Sequence, residues 1–472
     1  MLANFYQKNI IEKPKFVFLI LIIILISAFY FSKNFRLDAS SETLLLENDP
    51  DLKYLNEINN RYGAKEFLVL TYSPKGEMIS EESIKNLSEL KNELQNLNWV
   101  YNVITLLDIP LLDVTDEKLV DRIQNFKTLK SENVDKKRAF DEILNSPVFR
   151  NFVISEDAKT SGIIVYIKPF TEEKENKSKK ELEFLKDKIK KERHQNILEI
   201  REVIKKYNQN TQIFLGGIPM IADDMMTFIK KDIITFGLGV LAFIIITLWY
   251  VFRKLIWIII PISSCFFSVV LMIGFLGLVG WKVTVISSNF IALMLILTMA
   301  MNIHMSTRYL QLSKQFSNKN KSEIIILTTR KMIWPIFYTV ITTICAFLSL
   351  IFSEIKPIID FGWMMTFGLI TSLLITFTLL PTLLSFIQNS DVSMTKEKDS
   401  KITNYLGNLS LNNKNYIFGL TILIIFLSIF GISKLEVENS FINYFNKKTE
   451  IYQGMKLIDE KLGGTTPLEV IL

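Results

Sequence analysis

Along the chain, apolar and polar positions separate into seven long apolar stretches set in polar ground. They cover residues 16–32, 233–252, 255–281, 283–307, 332–353, 361–387 and 415–433, and none contains Asp, Glu, Lys or Arg. An α-helix needs roughly 20 apolar residues to cross the hydrocarbon core of a bilayer, so each stretch predicts a membrane span. The first stretch follows Lys8, Lys13 and Lys15 as a secretion signal would. It continues into Tyr30-Phe31 with no small-x-small cleavage pattern, and therefore reads as an uncleaved helix.

The polar ground has structure of its own. Between the first two spans, residues 33–231 form one large water-facing segment. Residues 67–72, 162–169 and 212–215 read as strands, and 81–97 and 172–207 as helices. Strands alternating with helices predict an α/β sandwich. The charge run over 171–206 reads as a solvated helix face with His194 on its surface. Short loops set the orientation. Arg253-Lys254 and the loop bearing Arg308, Lys314, Lys319, Lys321, Arg330 and Lys331 are basic. They belong in the cytoplasm with the N-terminus, which puts 33–231 and the turns near Lys282 and 354–360 on the other side.

Composition narrows the function classes. With 49% hydrophobic and 22% charged residues and a mean hydropathy of +0.27, the chain is not a soluble enzyme. A net charge of +6 is too mild and too spread for a nucleic-acid binder. Cys265 and Cys345 lie in apolar runs and there are two histidines, so neither a disulfide framework nor a metal site is expected. No GxxxxGK[ST] loop and no Ser/His/Asp or Cys/His arrangement occurs. The expectation is a non-enzyme without cofactor.

The chain also repeats itself. Shifted by 400 residues, Lys15-Phe16-Val17-Phe18 meets Asn415-Tyr416-Ile417-Phe418, and Phe35-Arg36-Leu37-Asp38-Ala39-Ser40 meets Leu435-Glu436-Val437-Glu438-Asn439-Ser440. Ile58 and Gly63 meet Ile458 and Gly463, and strand 67–70 meets 469–472 with two extra residues. Span seven thus restarts the program of span one. The sequence reads as a piece of a two-repeat protein of about 800 residues and twelve spans.

One span, a large outer α/β domain, five spans and a restart: this order resembles the resistance-nodulation-division (RND) superfamily, and within it the MMPL-like exporters, whose five-helix block is related to the sterol-sensing domain. The residues carrying the resemblance are Arg330-Lys331-Met332-Ile333-Trp334-Pro335, Thr342-Thr343, Phe347-Leu348-Ser349-Leu350, Ile355-Lys356-Pro357-Ile358-Ile359-Asp360-Phe361-Gly362 and Leu379-Leu380-Pro381-Thr382-Leu383-Leu384. The implied organisation is a first helix (1–32), an extracytoplasmic porter-like domain (33–231), a five-helix block (232–390) and a cytoplasmic linker (391–414). A seventh helix (415–433) and the start of a second outer domain (434–472) follow. Thr342, Thr343, Asp360 and Gly362 become helix-packing or gating candidates, with Asp360 as an N-terminal cap of the sixth span.

Span four holds the coupling candidates. Thr298, Asn302 and Ser306 recur every four residues, and His304 sits one turn before Arg308. RND pumps typically carry a proton-accepting Asp in this helix. Here Ala300-Met301-Asn302-Ile303-His304-Met305 contains no acid, and Met301 or Asn302 takes its place. His304 is either a proton shuttle or, preferably, a neutral residue hydrogen-bonded to a neighbouring helix. The resemblance implies an exporter of lipids or other hydrophobic molecules in a bacterial inner membrane. The alternative is a lipid-binding sensor or scaffold that does not pump. Membrane lipid is the expected partner, nucleic acid is not, and a homo-oligomer or a periplasmic partner stays open.

Overall fold

The computed structural model describes residues 6–38, 50–62, 66–113, 126–132, 134–169, 179–387, 401–436 and 441–464. Its main elements, in chain order, are α1 (Pro14–Phe31), β1 (Arg36–Leu37), α2 (Pro50–Tyr62), β2 (Phe67–Pro74), α3 (Glu81–Gln95), β3 (Val100–Ile104), α4 (Lys136–Asn145), β4 (Ser161–Ile167), α5 (Lys179–Tyr207) and β5 (Thr211–Gly216). Then come α6 (Ile218–Phe252), α7 (Ile256–Val279), β6 (Lys282–Val283), α8 (Phe290–Gln315), α9 (Lys321–Leu348), α10 (Lys356–Phe386), α11 (Lys401–Asn412), α12 (Lys414–Ile432) and α13 (Glu450–Lys461). The chain divides into two units: Met1–Glu47 with Met226–Val437, and Asn48–Met225 with Glu438–Leu472.

The second unit is built on a four-stranded sheet in the order β3-β4-β2-β5, every neighbouring pair antiparallel. β2 and β3 flank β4 and are joined through α3, while β4 and β5 flank β2 and are joined through α5. This is a double split β-α-β arrangement. Leu87, Leu90 and Leu94 on α3 and Ile197, Ile200 and Ile204 on α5 share one spacing and bury one stripe each, packing with Leu68, Leu70, Val103, Ile163, Val165, Ile213 and Leu215. Ser80 caps α3 by accepting from the Ser83 amide, and Glu81 and Glu82 occupy its first turn. β3 was not expected from the sequence: its Val-Tyr-Asn-Val run leaves Tyr101 and Asn102 exposed, so apolar alternation is broken.

Residues 441–464, assigned above to the start of a separate outer domain, pack within this same unit. α13 lies on the sheet face that carries Phe214 and Gly216. A Cβ on Gly454 would stand 2.9 Å from the Leu215 carbonyl oxygen, and one on Gly216 would stand 2.8 Å from the Ile458 side chain. Arg201 of α5 ties this helix down, reaching Glu450 at 2.9 Å and Asp224 at 2.8 Å. Asp157 and Lys461 pair at 2.9 Å. The Ser155 hydroxyl first and Lys461 second hold the Asp157 carboxyl down to about 2.

Among the described residues, seven helices are long and apolar enough to cross a membrane, with their apolar lengths in the first unit. α7, α8 and α10 pack against one another, α1 lies on α7 and α9 on α10. Small residues set the close approaches. A Cβ on Gly274 would meet the Ala28 carbonyl oxygen at 2.5 Å, one on Gly277 would overlap the Phe31 carbonyl, and one on Gly362 would meet the Phe347 carbonyl oxygen at 2.6 Å. α7 stops at Gly280, whose φ of 74° is the left-handed conformation that ends a helix. The expected turn near Lys282 is a two-rung parallel ladder, Arg36 opposite Lys282 and Leu37 opposite Val283. The Asp38 amide donates to the Val283 carbonyl at 2.8 Å, and Lys282 Nζ reaches Asp38 at 3.0 Å.

Several expected boundaries move because polar residues continue the helices. α6 starts at Ile218 and carries Asp223, Asp224, Lys230, Lys231 and Asp232 before its apolar part, so no break separates 231 from 232. The basic loop shrinks to 316–320, with Arg308 and Lys314 in α8 and Lys321, Arg330 and Lys331 in α9. The linker 391–414 contains helix α11. Asp360 is not a cap: Pro357 favours an earlier start, Ile355 is the N-cap and Asp360 lies inside α10. The 400-residue shift is visible in the elements, since α1 and α12 start at 14 and 414 and α2 and α13 at 50 and 450. The strand expected at 469–472 lies outside the described residues.

Candidate functional site in the helix block

The stripe on α8 is buried. Thr298, Asn302 and Ser306 all face inward, against α7 and α10. Asn302 is the centre. Its Oδ1 accepts from Ser264 Oγ on α7 and from Thr376 Oγ1 on α10, both at 3.2 Å. Its Nδ2 donates to the Pro261 carbonyl at 3.3 Å and to Cys265 Sγ at 3.7 Å. A carboxamide has two acceptor and two donor positions, and here all four are met. One turn along α8, Thr298 and Ser372 share a hydrogen bond of 2.7 Å.

The register is regular. α8 and α10 run in the same direction, with Thr298 opposite Ser372 and Asn302 opposite Thr376. One turn further, Met294 fills the notch at Gly368, where a Cβ would stand 2.8 Å from its sulfur. In each of these pairs the two numbers differ by 74. α7 runs the other way, with Ser264 opposite Asn302, which brings Ser268 level with Thr298. The oxygens of Ser268 and Ser306 are buried and make no hydrogen bond.

The arrangement has a clear electrostatic character. It contains no ionisable carboxylate or amine, and it offers Asn302 two hydroxyl donors, one carbonyl and one sulfur. A carboxylate placed there would aim an oxygen at the Pro261 carbonyl, where Nδ2 now donates. The pocket fits a neutral amide. Met301, the other residue weighed for this position, is buried in the surrounding apolar cluster.

The remaining candidates lie elsewhere. His304 is exposed on α8, and its ring has no hydrogen-bond partner among the described residues. The expected bond to a neighbouring helix is therefore not formed, because two residues along an α-helix turn the side chain about 200° away from Asn302. Thr342 and Thr343 donate to carbonyls of their own helix, Thr342 to Tyr338 and Thr339 and Thr343 to Thr339. Gly362 is a packing contact between α9 and α10. Asp360 is half-buried. His194 is half-exposed and pairs with Asp223 at 2.9 Å. Ser264, Thr376 and Ser372, which sequence reasoning did not select as site residues, complete the cluster. Ser372 and Thr376 share a four-residue spacing with Gly368 along their own apolar run, and the register across helices shows what they meet.

Two comparisons bear on what this cluster belongs to. The model of the MMPL family matches residues 77–405, from the α/β unit through α10 and into α11. No curated protein matches the chain at a significant level.

Proposed function

Since the chain belongs to the MMPL family within the RND superfamily, we propose that it is an exporter of lipids or other hydrophobic molecules in a bacterial inner membrane. It is a multi-pass membrane protein with seven candidate spans, from a family of transporters rather than enzymes. The N-terminus lies in the cytoplasm and the α/β unit in the periplasm, where that unit receives or passes on substrate. The seven spans are part of a twelve-span protein of two repeats. One observation carries the reading: a single family match runs through the α/β unit and five consecutive spans together.

The satisfied neutral amide at the centre of α8 supports a coupling in this half that does not run through a proton at Asn302. That same observation favours a second reading, a lipid-binding sensor of the same architecture. Both are tested on the full chain in inverted membrane vesicles with a fluorescent phospholipid, with and without an imposed pH gradient. Chain-dependent movement of the probe supports export. Binding without movement supports the sensor, and neither movement nor binding overturns both. Movement that needs the gradient while Asn302 is intact places the coupling group outside this cluster.

A further inference from the structure

Hydroxyls inside a bilayer need partners, since no water competes for them there. Most in this block donate to a carbonyl one turn back on their own helix, as Thr328, Thr366, Thr371, Thr378 and Thr382 do. Ser268 and Ser306, like Ser313 near the end of α8, are different: their oxygens are buried and make no hydrogen bond among the described residues. Their positions in the register are related. Ser268 lies one turn beyond Ser264 on α7, and Ser306 lies one turn beyond Asn302 on α8.

Polar residues recur every four positions on all three helices: 264 and 268 on α7, 298, 302 and 306 on α8, 372 and 376 on α10. Translating α8 by four residues against its neighbours, ~6 Å along its axis, exchanges the partners. Ser306 then takes the place of Asn302, between Ser264 and Thr376. Asn302 takes the place of Thr298, between Ser268 and Ser372. Of the three unpartnered hydroxyls among the described residues of these helices, Ser268, Ser306 and Ser313, this second register uses the first two. Thr298 arrives at Gly368, the notch now filled by Met294, and brings a shorter side chain.

We propose that α8 has two stable registers one turn apart, the one seen here and a second in which Asn302 pairs with Ser268 and Ser372 and Ser306 pairs with Ser264 and Thr376. One-turn displacements of a packed helix are a known form of two-state change. Because every rung is neutral, the exchange breaks and remakes hydrogen bonds without moving a proton. The inference does not depend on what the protein carries.

Cysteine cross-linking in the full chain, in native membrane vesicles and with Cys265 and Cys345 replaced by Ala, tests it. A disulfide needs Cβ atoms about 3.8 Å apart, so it reads the register directly. Thr298→Cys with Ser372→Cys reports the register seen here and must link under mild oxidation, which also shows that the fold is intact. Ser306→Cys with Thr376→Cys links only in the second register. Thr298→Cys with Thr376→Cys is displaced by the same distance in the opposite direction and serves as the control. The expected result is linking of 306 with 376 several-fold faster than of 298 with 376. If 306 with 376 fails to link, or links no faster than the control, α8 has one register. Ser268 and Ser306 are then satisfied by buried water or by their own backbone.

Discussion

α1 and α12 are the same helix in sequence terms and different objects in the structure. They are offset by 400 residues, both are free of charged side chains along their apolar lengths, and both are long and apolar enough to cross a membrane. Each ends with a lysine over an aromatic ring, Lys33 above Tyr30 at 5.5 Å and Lys434 above Phe430 at 4.8 Å. Yet α1 is seated on Gly274 and Gly277 of α7 and is followed by a ladder and an ion pair, whereas α12 buries no residue. Apolar length makes a helix suitable for a membrane. What seats α1 on α7 is a pair of small residues on the partner and an ion pair at the exit.

The strongest way to break the comparison is to fill the seat. Gly274→Leu or Gly277→Leu forces side-chain atoms into the α1 backbone, which has no rotamer with which to yield. The expected cost is about 3 kcal/mol or more, read as a large drop in apparent melting temperature of the detergent-solubilised chain. Gly419→Leu and Gly431→Leu on α12, where a Cβ meets nothing within 4 Å, are expected to leave it unchanged.

Polar groups make the same point at a smaller scale. Asn302→Leu strips Ser264 and Thr376 of their acceptor and leaves both hydroxyls buried. About 1–3 kcal/mol should be lost, and the same melting experiment measures it. Thr421→Val and Ser428→Ala remove hydroxyls that bond only their own helix, to Ile417 at 2.9 Å and Ile424 at 2.8 Å, and should change almost nothing. The exit comes next: Lys282→Ala breaks a half-exposed ion pair, for an expected loss of about 0.2–1 kcal/mol that shrinks in high salt.

The smallest effect concerns α13, the repeat counterpart of α2. The Asp157 carboxyl, held down to about 2 by Ser155 and Lys461, supports the packing of α13 while it is ionised. Its ordinary value is near 3.9, so the folded state depresses it. The contribution is full above about pH 4 and disappears as the pH falls toward 2. Amide hydrogen-exchange protection of α13, taken relative to the unfolded chain at each pH, should therefore fall over that window in the wild-type chain, and Lys461→Ala should narrow the window. Protection indifferent to pH there would show that Asp157 contributes nothing to holding α13.

What could be read beforehand follows the range of each signal. The seven spans rest on continuous local runs, and all seven have a counterpart among the long apolar helices. The stripe of Thr298, Asn302 and Ser306 is also local, and all three are buried. His304 was separable from it by helical angle alone. The partners of Asn302 were not legible, because Ser264 and Thr376 lie 38 and 74 residues away and their proximity depends on how three helices register. The two-residue strands β1 and β6 left no pattern, being too short for any period to show. β3 was lost for a related reason, since two exposed residues interrupt its alternation. Asp360 was misplaced by treating the end of an apolar run as the end of a helix, although Pro357 marks the true start.

The neutrality of the cluster around Asn302 has an electrical side. A potential of 100 mV across a membrane exerts about 2.3 kcal/mol on one elementary charge carried through it. Thr298, Asn302 and Ser306, with their partners Ser264, Ser372 and Thr376, present no formal charge for that field to act on. Exchanging their hydrogen bonds therefore moves no formal charge among these six side chains. Any grip the voltage has on the exchange comes instead through Arg308 and Lys314, which travel with α8.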